Sequence, residues 1–118
     1  MNKNSLQIIV KLIFYIKKEM NVIGKLLAAP VLQQRNFTGR DGAAQVFNFR
    51  TIVLNCGTDS LAGEMMGETA VRWPHQHLLE SVALWSADVT LHLRQFQNQN
   101  GETKSVTEIR VNRLEPLA

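Results

Sequence analysis

The feature that most constrains this chain is Arg72–Ala83, RWPHQHLLESVA, the one stretch of helical spacing among runs that otherwise read as strands. Pro74 suits the first position of a helix, where its missing N–H costs nothing. Leu78, Leu79, Val82 and Ala83 then recur at helical spacing. The stretch predicts a short helix from Pro74, entered from a strand that ends at Trp73. One short helix inserted among strands points to a small β domain.

The flanking sequence fills in that domain. Asn21–Leu27 reads as a first strand, with Gly24 marking a bulge or sharp bend. Pro30 interrupts the pairing, and Val31–Arg35 resumes the extended course. Phe37–Gly42 is a hairpin loop carrying the Asp41-Gly42 turn signal. Val46–Leu54 is a second strand, rich in β-branched and aromatic residues. Its alternation is imperfect and does not fix which face points inward. Cys56–Gly67 reads as a long loop, and Glu68–Trp73 as a third strand. Asp88–Phe96 is the cleanest period-2 run, with Val89, Leu91 and Leu93 on one side and Thr90, His92, Arg94 and Phe96 on the other. Asn98–Gly101 turns the chain into a fifth strand, Lys104–Leu114, with Thr107, Ile109 and Val111 inward. Five strands with a helix between the third and fourth describe an all-β, five-stranded OB barrel.

Composition bounds the function. At 118 residues the chain makes one domain. A single cysteine, Cys56, excludes an intramolecular disulfide framework and fits a reducing, cytoplasmic setting. The net charge of +3 is carried by residues 1–19, where Lys3, Lys11, Lys17 and Lys18 face only Glu19. Residues 20–118 are neutral, so anion affinity there must come from clustering on one face rather than from a global field. The cations of that part are mostly arginines, which suit phosphate recognition and stacking on bases.

Residues 1–19 form an N-terminal extension ahead of a domain at 20–118. The apolar run Leu6–Ile16 is about half a bilayer span and Lys11 interrupts it. Lys17-Lys18-Glu19-Met20 offers no small-residue cleavage site of the secretory kind. Three readings stay open: an interfacial helix, an element packing on a partner, or a segment upstream of a true start at Met20. The strand-like sequence that begins at Met20 favours the last.

Catalytic chemistry finds little support. His75, His77 and His92 are the only histidines, and with Cys56 they make a poor zinc ligand set. Cys56 has no activating partner in sequence. No phosphate-binding glycine loop, dinucleotide fingerprint or nucleophile elbow occurs. The chain is read as a non-enzyme with no cofactor and no metal. Rings and cations interleave instead: Arg35, Phe37 and Arg40 about the first hairpin, Phe49 (or Phe47) with Arg50 on the second strand, Arg72 and Trp73 on the third. His92, Arg94 and Phe96 follow on the fourth, Lys104 and Arg110 on the fifth. Single-stranded nucleic acid is bound by such sets, with rings stacking on bases and cations following the backbone.

In these residues the chain resembles the bacterial single-stranded DNA-binding protein family, from about Asn21 to Leu114. Val22-Ile23-Gly24-Lys25-Leu26 with Pro30 is similar to that family's opening strand. Gly42–Phe49 is similar to its second-strand signature, and Val71-Arg72-Trp73-Pro74 to its aromatic-ended strand. Arg94–Gly101 with Thr107-Glu108-Ile109 resembles its closing hairpin. The resemblance implies an OB fold, base stacking by Trp73 and Phe96, phosphate contacts by Arg50, Arg72, Arg94 and Lys104, and a role in DNA replication, recombination or repair. It also implies a homodimer or homotetramer, with single-stranded DNA and other replication or mobile-element proteins as partners and no membrane association. Two stacking positions of the family fall on Cys56-Gly57 and Gly67-Glu68, and its glycine-rich region and acidic tip have no counterpart before Ala118. Those departures resemble tailless members such as phage and plasmid single-strand binders or primosomal replication protein N-like proteins. They also leave open an OB module that binds proteins and barely touches DNA.

Overall fold

Glycine and proline placement shapes the chain's path. The computed structural model describes residues 11–117. Its strands are β1 (Lys11–Leu26), β2 (Leu32–Thr38), β3 (Ala44–Asn55), β4 (Ser60–Met66), β5 (Trp85–Gln97) and β6 (Thr103–Pro116). A short helix α1 (Gly67–Val71) and a 3-10 turn (Gln76–Leu78) lie between β4 and β5. Two units share these strands. Among the described residues, one comprises Glu19–Thr90 and residues 109–117, the other residues 11–18 and Leu91–Glu108.

The first unit is the barrel. The sheet order is β1-β5-β6-β4-β3-β2, and β1 also pairs with β3 through Lys25↔Asn55 and Leu26↔Leu54, which closes the ring. β4 and β6 meet in parallel at Glu64↔Arg110, while β2–β3 and β3–β4 are antiparallel. With β1 and β2 counted as one strand broken at residues 27–31, this is the five-stranded OB barrel, its helix between the third and fourth strands. Buried Pro30 lies in the break, where it has no ladder donor to offer. Gly24 stands at the closure, where a Cβ would run into the Asn55 carbonyl.

The core gathers Ile52, Leu54, Met65, Trp85, Val89 and Val111. Each large side chain buried there contributes about 1.5–3 kcal/mol. On β3 the even-numbered residues Arg50, Ile52 and Leu54 point inward and are buried. The inward arginine is what blurs the alternation in sequence.

Three local expectations are corrected. The long loop expected over Cys56–Gly67 contains β4. Gly63 looks like a loop residue but is a close-approach position: a Cβ there would lie 2.8 Å from Ile109 Cγ2 and 2.9 Å from the Ile109 carbonyl oxygen on β6. The third strand expected at Glu68–Trp73 is helical through Val71. Gly67, at φ 63°, turns the chain out of β4, and the Arg72 N–H then closes a turn on the Glu68 carbonyl at 2.9 Å. Strand propensity in Thr69 and Val71 is overridden by that turn. The helix expected from Pro74 is reduced to the 3-10 turn, with His75 at its N-cap making no side-chain capping bond. The periodicity of Leu78, Leu79 and Val82 is nevertheless real, since all three pack against the core.

The second unit, over its described residues, is a three-stranded ribbon of β1 up to Lys18, the outer part of β5 and the start of β6. The β5–β6 turn is set by Asn98, whose side-chain oxygen accepts the N–H groups of Asn100 and Glu102, each at 3.0 Å. Gly101 supplies the positive φ of 81°. β1 runs unbroken through Met20.

Candidate nucleic-acid interface

Once Arg50, Ile52 and Leu54 of β3 are committed to the core, the odd-numbered residues of that strand must face out. Register carries that outer face across three strands: Arg35 pairs with Phe47, Phe37 with Gln45, Phe49 with Met66 and Thr51 with Glu64. Glu64 in turn lies beside Arg110 of β6. The barrel therefore carries Phe37, Phe47 and the Arg35-covered Phe49 on this face, together with Glu64 and Arg110.

The geometry of this face is specific. Phe47 and Phe49 run nearly parallel, with centroids 6.1 Å apart at 15°. The Arg35 guanidinium lies over the Phe49 ring, 4.5 Å from its centroid, and its Nη2 stands 3.6 Å from Glu64 Oε2. Phe49 is buried beneath that cation, whereas Phe37 is 46% exposed. Arg40 sits exposed in the β2–β3 turn, where Gly42 takes a positive φ of 82° and Asp41 Oδ1 accepts the Ala43 N–H at 3.0 Å. Arg40 and Arg110 have no ion-pair partner among the described residues.

The structure withdraws two expected contacts into the interior. Arg50 donates from Nε to the Ala70 carbonyl at 2.7 Å, and from Nη1 to the Pro30 carbonyl at 2.7 Å and Gln76 Oε1 at 3.0 Å. Burial pulls its pKa below the ordinary guanidinium value. It lies over the Trp73 ring at 5.2 Å. Trp73 is itself only 7% exposed, with Nε1 donating to the Leu114 carbonyl at 2.8 Å and its ring tilted against Trp85 at 5.7 Å. Both residues tie the α1 segment to the barrel. Arg72 points outward and pairs with Glu68 at 3.0 Å.

In the ribbon, one face holds a second aromatic and basic group. Tyr15 stacks on His92 with centroids 6.0 Å apart, and its hydroxyl lies 2.8 Å from His92 Nδ1. Arg94 sits 5.7 Å from the Tyr15 ring centre and pairs with Glu108 at 3.3 Å. Phe96 is half-buried on the same strand, and Lys104 pairs with Glu102 at 3.6 Å. Tyr15 escaped the sequence reading because it lies in the stretch set aside as an extension. Glu64 is not legible in the sequence because the glycines of Cys56–Gly67 read as a loop. Phe47, the sequence's alternative to Phe49, joins it here, since period 2 puts both rings on one face.

Among the described residues no cluster of histidine, cysteine and carboxylate could hold a metal ion. No helix among them is long and apolar enough to cross a membrane. No family model matches the chain, and no curated protein sequence does. Among solved structures, the chain is similar to the mitochondrial single-stranded DNA-binding protein Rim1 of S. cerevisiae. That match has 12% identity and a TM-score of 0.38, and it covers 85% of this chain and 94% of that one.

Proposed function

We propose that this protein is a non-catalytic, single-stranded DNA-binding OB protein acting in replication, recombination or repair. The observation that carries the reading is the outer face of β2–β4, where Phe37, Phe47 and Phe49 lie beside Arg35, with Arg40 in the β2–β3 turn and Arg110 next to Glu64 on β6. Phe37 and Phe47 offer rings to bases, and each stacked base contributes about 1–3 kcal/mol. Arg35, Arg40 and Arg110 are placed to follow the phosphates. The ribbon by itself offers Tyr15, His92, Arg94 and Phe96, groups of the same chemistry. Trp73 and Arg50 act inside the barrel and support the site from beneath.

A homo-oligomer is part of this reading. Among the described residues, β1 in the ribbon pairs on one side with β5 only, and it exposes Phe14, Tyr15 and Ile16. An open apolar edge of this kind is a template for pairing with a second chain. The alternative, an OB module that binds a replication or mobile-element protein, is favoured by exposed Leu27, Val31 and Leu32 at the break between β1 and β2. A gel shift with a single-stranded oligomer and the matching duplex separates the two. Binding of the single strand alone supports the first reading. Absence of any shift at low salt, with a stable protein partner recovered, supports the second.

A further inference from the structure

We propose that Glu64 makes the barrel face selective for guanine over thymine in a bound single strand; this rests on the reading of that face as a single-strand site. Glu64 is the only carboxylate on the outer face of β2–β4. A lone acid is costly for a site that binds polyanions unless it serves recognition. In the structure its neighbour Arg35 is a planar group lying on the Phe49 ring at 4.5 Å, with its Nη2 3.6 Å from the carboxylate. A base stacking on Phe49 must take the place of that guanidinium. The base that best replaces what Arg35 supplied is planar and presents adjacent N–H donors along one edge. Guanine does so with N1–H and the 2-amino group, while thymine turns two carbonyl oxygens and a single N–H towards the acid. Arg35, displaced from the ring, is then free for the strand's phosphates, and Arg110 stays beside Glu64.

A role for Glu64 as mere counter-ion to Arg35 predicts something different. Its removal would then change affinity for every strand by the same factor.

The test is fluorescence anisotropy with labelled oligomers of one length: all-thymine, guanine at every third position, and hypoxanthine at those positions. Hypoxanthine keeps N1–H and lacks the 2-amino group. The proposal expects the guanine strand to bind about tenfold more tightly than the thymine strand, the scale of one bidentate base contact, with hypoxanthine between them. E64Q and E64A, checked for folding by circular dichroism, should erase the difference. Equal binding of the three strands by the wild-type protein overturns the selection and leaves the single-strand reading standing. A guanine preference that survives in both variants also overturns it. Absence of salt-sensitive binding to all three strands overturns both readings.

Discussion

Trp73 Nε1 donates to the carbonyl of Leu114 at 2.8 Å. The bond fastens the segment after α1 to the end of β6, and it commits the indole's polar edge as well as its faces. A ring held this way is a structural member of the barrel. Replacing it by phenylalanine removes part of the buried ring and the N–H that the Leu114 carbonyl accepts, at about 1–3 kcal/mol for the lost bond. Trp73→Phe is expected to lose that much stability in urea unfolding while its affinity for single strands stays at the wild-type value.

Arg50 has a related part. Its guanidinium satisfies the carbonyls of Pro30 and Ala70, one in the break between β1 and β2 and one in α1. Each hydrogen bond to a charged group contributes roughly 1.5–3 kcal/mol. Arg50→Met is expected to lower the urea midpoint sharply. Arg50→Lys should recover little, because a single ammonium cannot reproduce the planar fork.

Gly63→Ala tests the packing of β4 against β6. The added methyl would meet Ile109 Cγ2 at 2.8 Å and the Ile109 backbone at 2.9 Å. Overpacking of this kind costs typically ~1–3 kcal/mol. A lowered melting temperature is expected, with no recovery in Gly63→Ala combined with Ile109→Val, because valine keeps both the Cγ2 methyl and the backbone carbonyl that the new methyl meets.

The β5–β6 hairpin was legible because alternation from Asp88 to Phe96 and the Asn98–Gly101 turn are local signals that agree. The barrel was legible from a helical break between strands, although the helix there is α1, in residues that read as a strand, and the stretch from Pro74 holds only a 3-10 turn. β4 was hidden because Gly57, Gly63 and Gly67 carry the composition of a loop, while the reason for Gly63 lies on β6, far along the chain. The outer face was hidden because Arg50 points inward on β3, so charge misreports the direction of the side chain. Arg35, Phe37, Phe49 and Arg110 were named from sequence and do share that face. Trp73 and Arg50 were named beside them, because sequence gives no measure of what a ring or a guanidinium is bonded to.

Burial of both indoles has an experimental consequence. Trp85 is 1% exposed and Trp73 7%. Acrylamide should quench their fluorescence weakly, and single-stranded DNA should change it little even when bound. Strong quenching by acrylamide in the folded protein would contradict this placement of the two rings.

Phe37 and Phe47 carry the central claim. Anisotropy of a labelled single strand, titrated with wild-type protein and with the Phe37→Ala/Phe47→Ala variant across a salt series, tests it most directly. The account predicts that wild-type affinity falls linearly with salt on logarithmic axes, with a slope of about −0.7 per phosphate engaged. It predicts that the variant, equally stable, binds more weakly by roughly 1–3 kcal/mol per lost ring with the same slope. Salt-independent binding, no binding, or a variant that binds as the wild type does would contradict it.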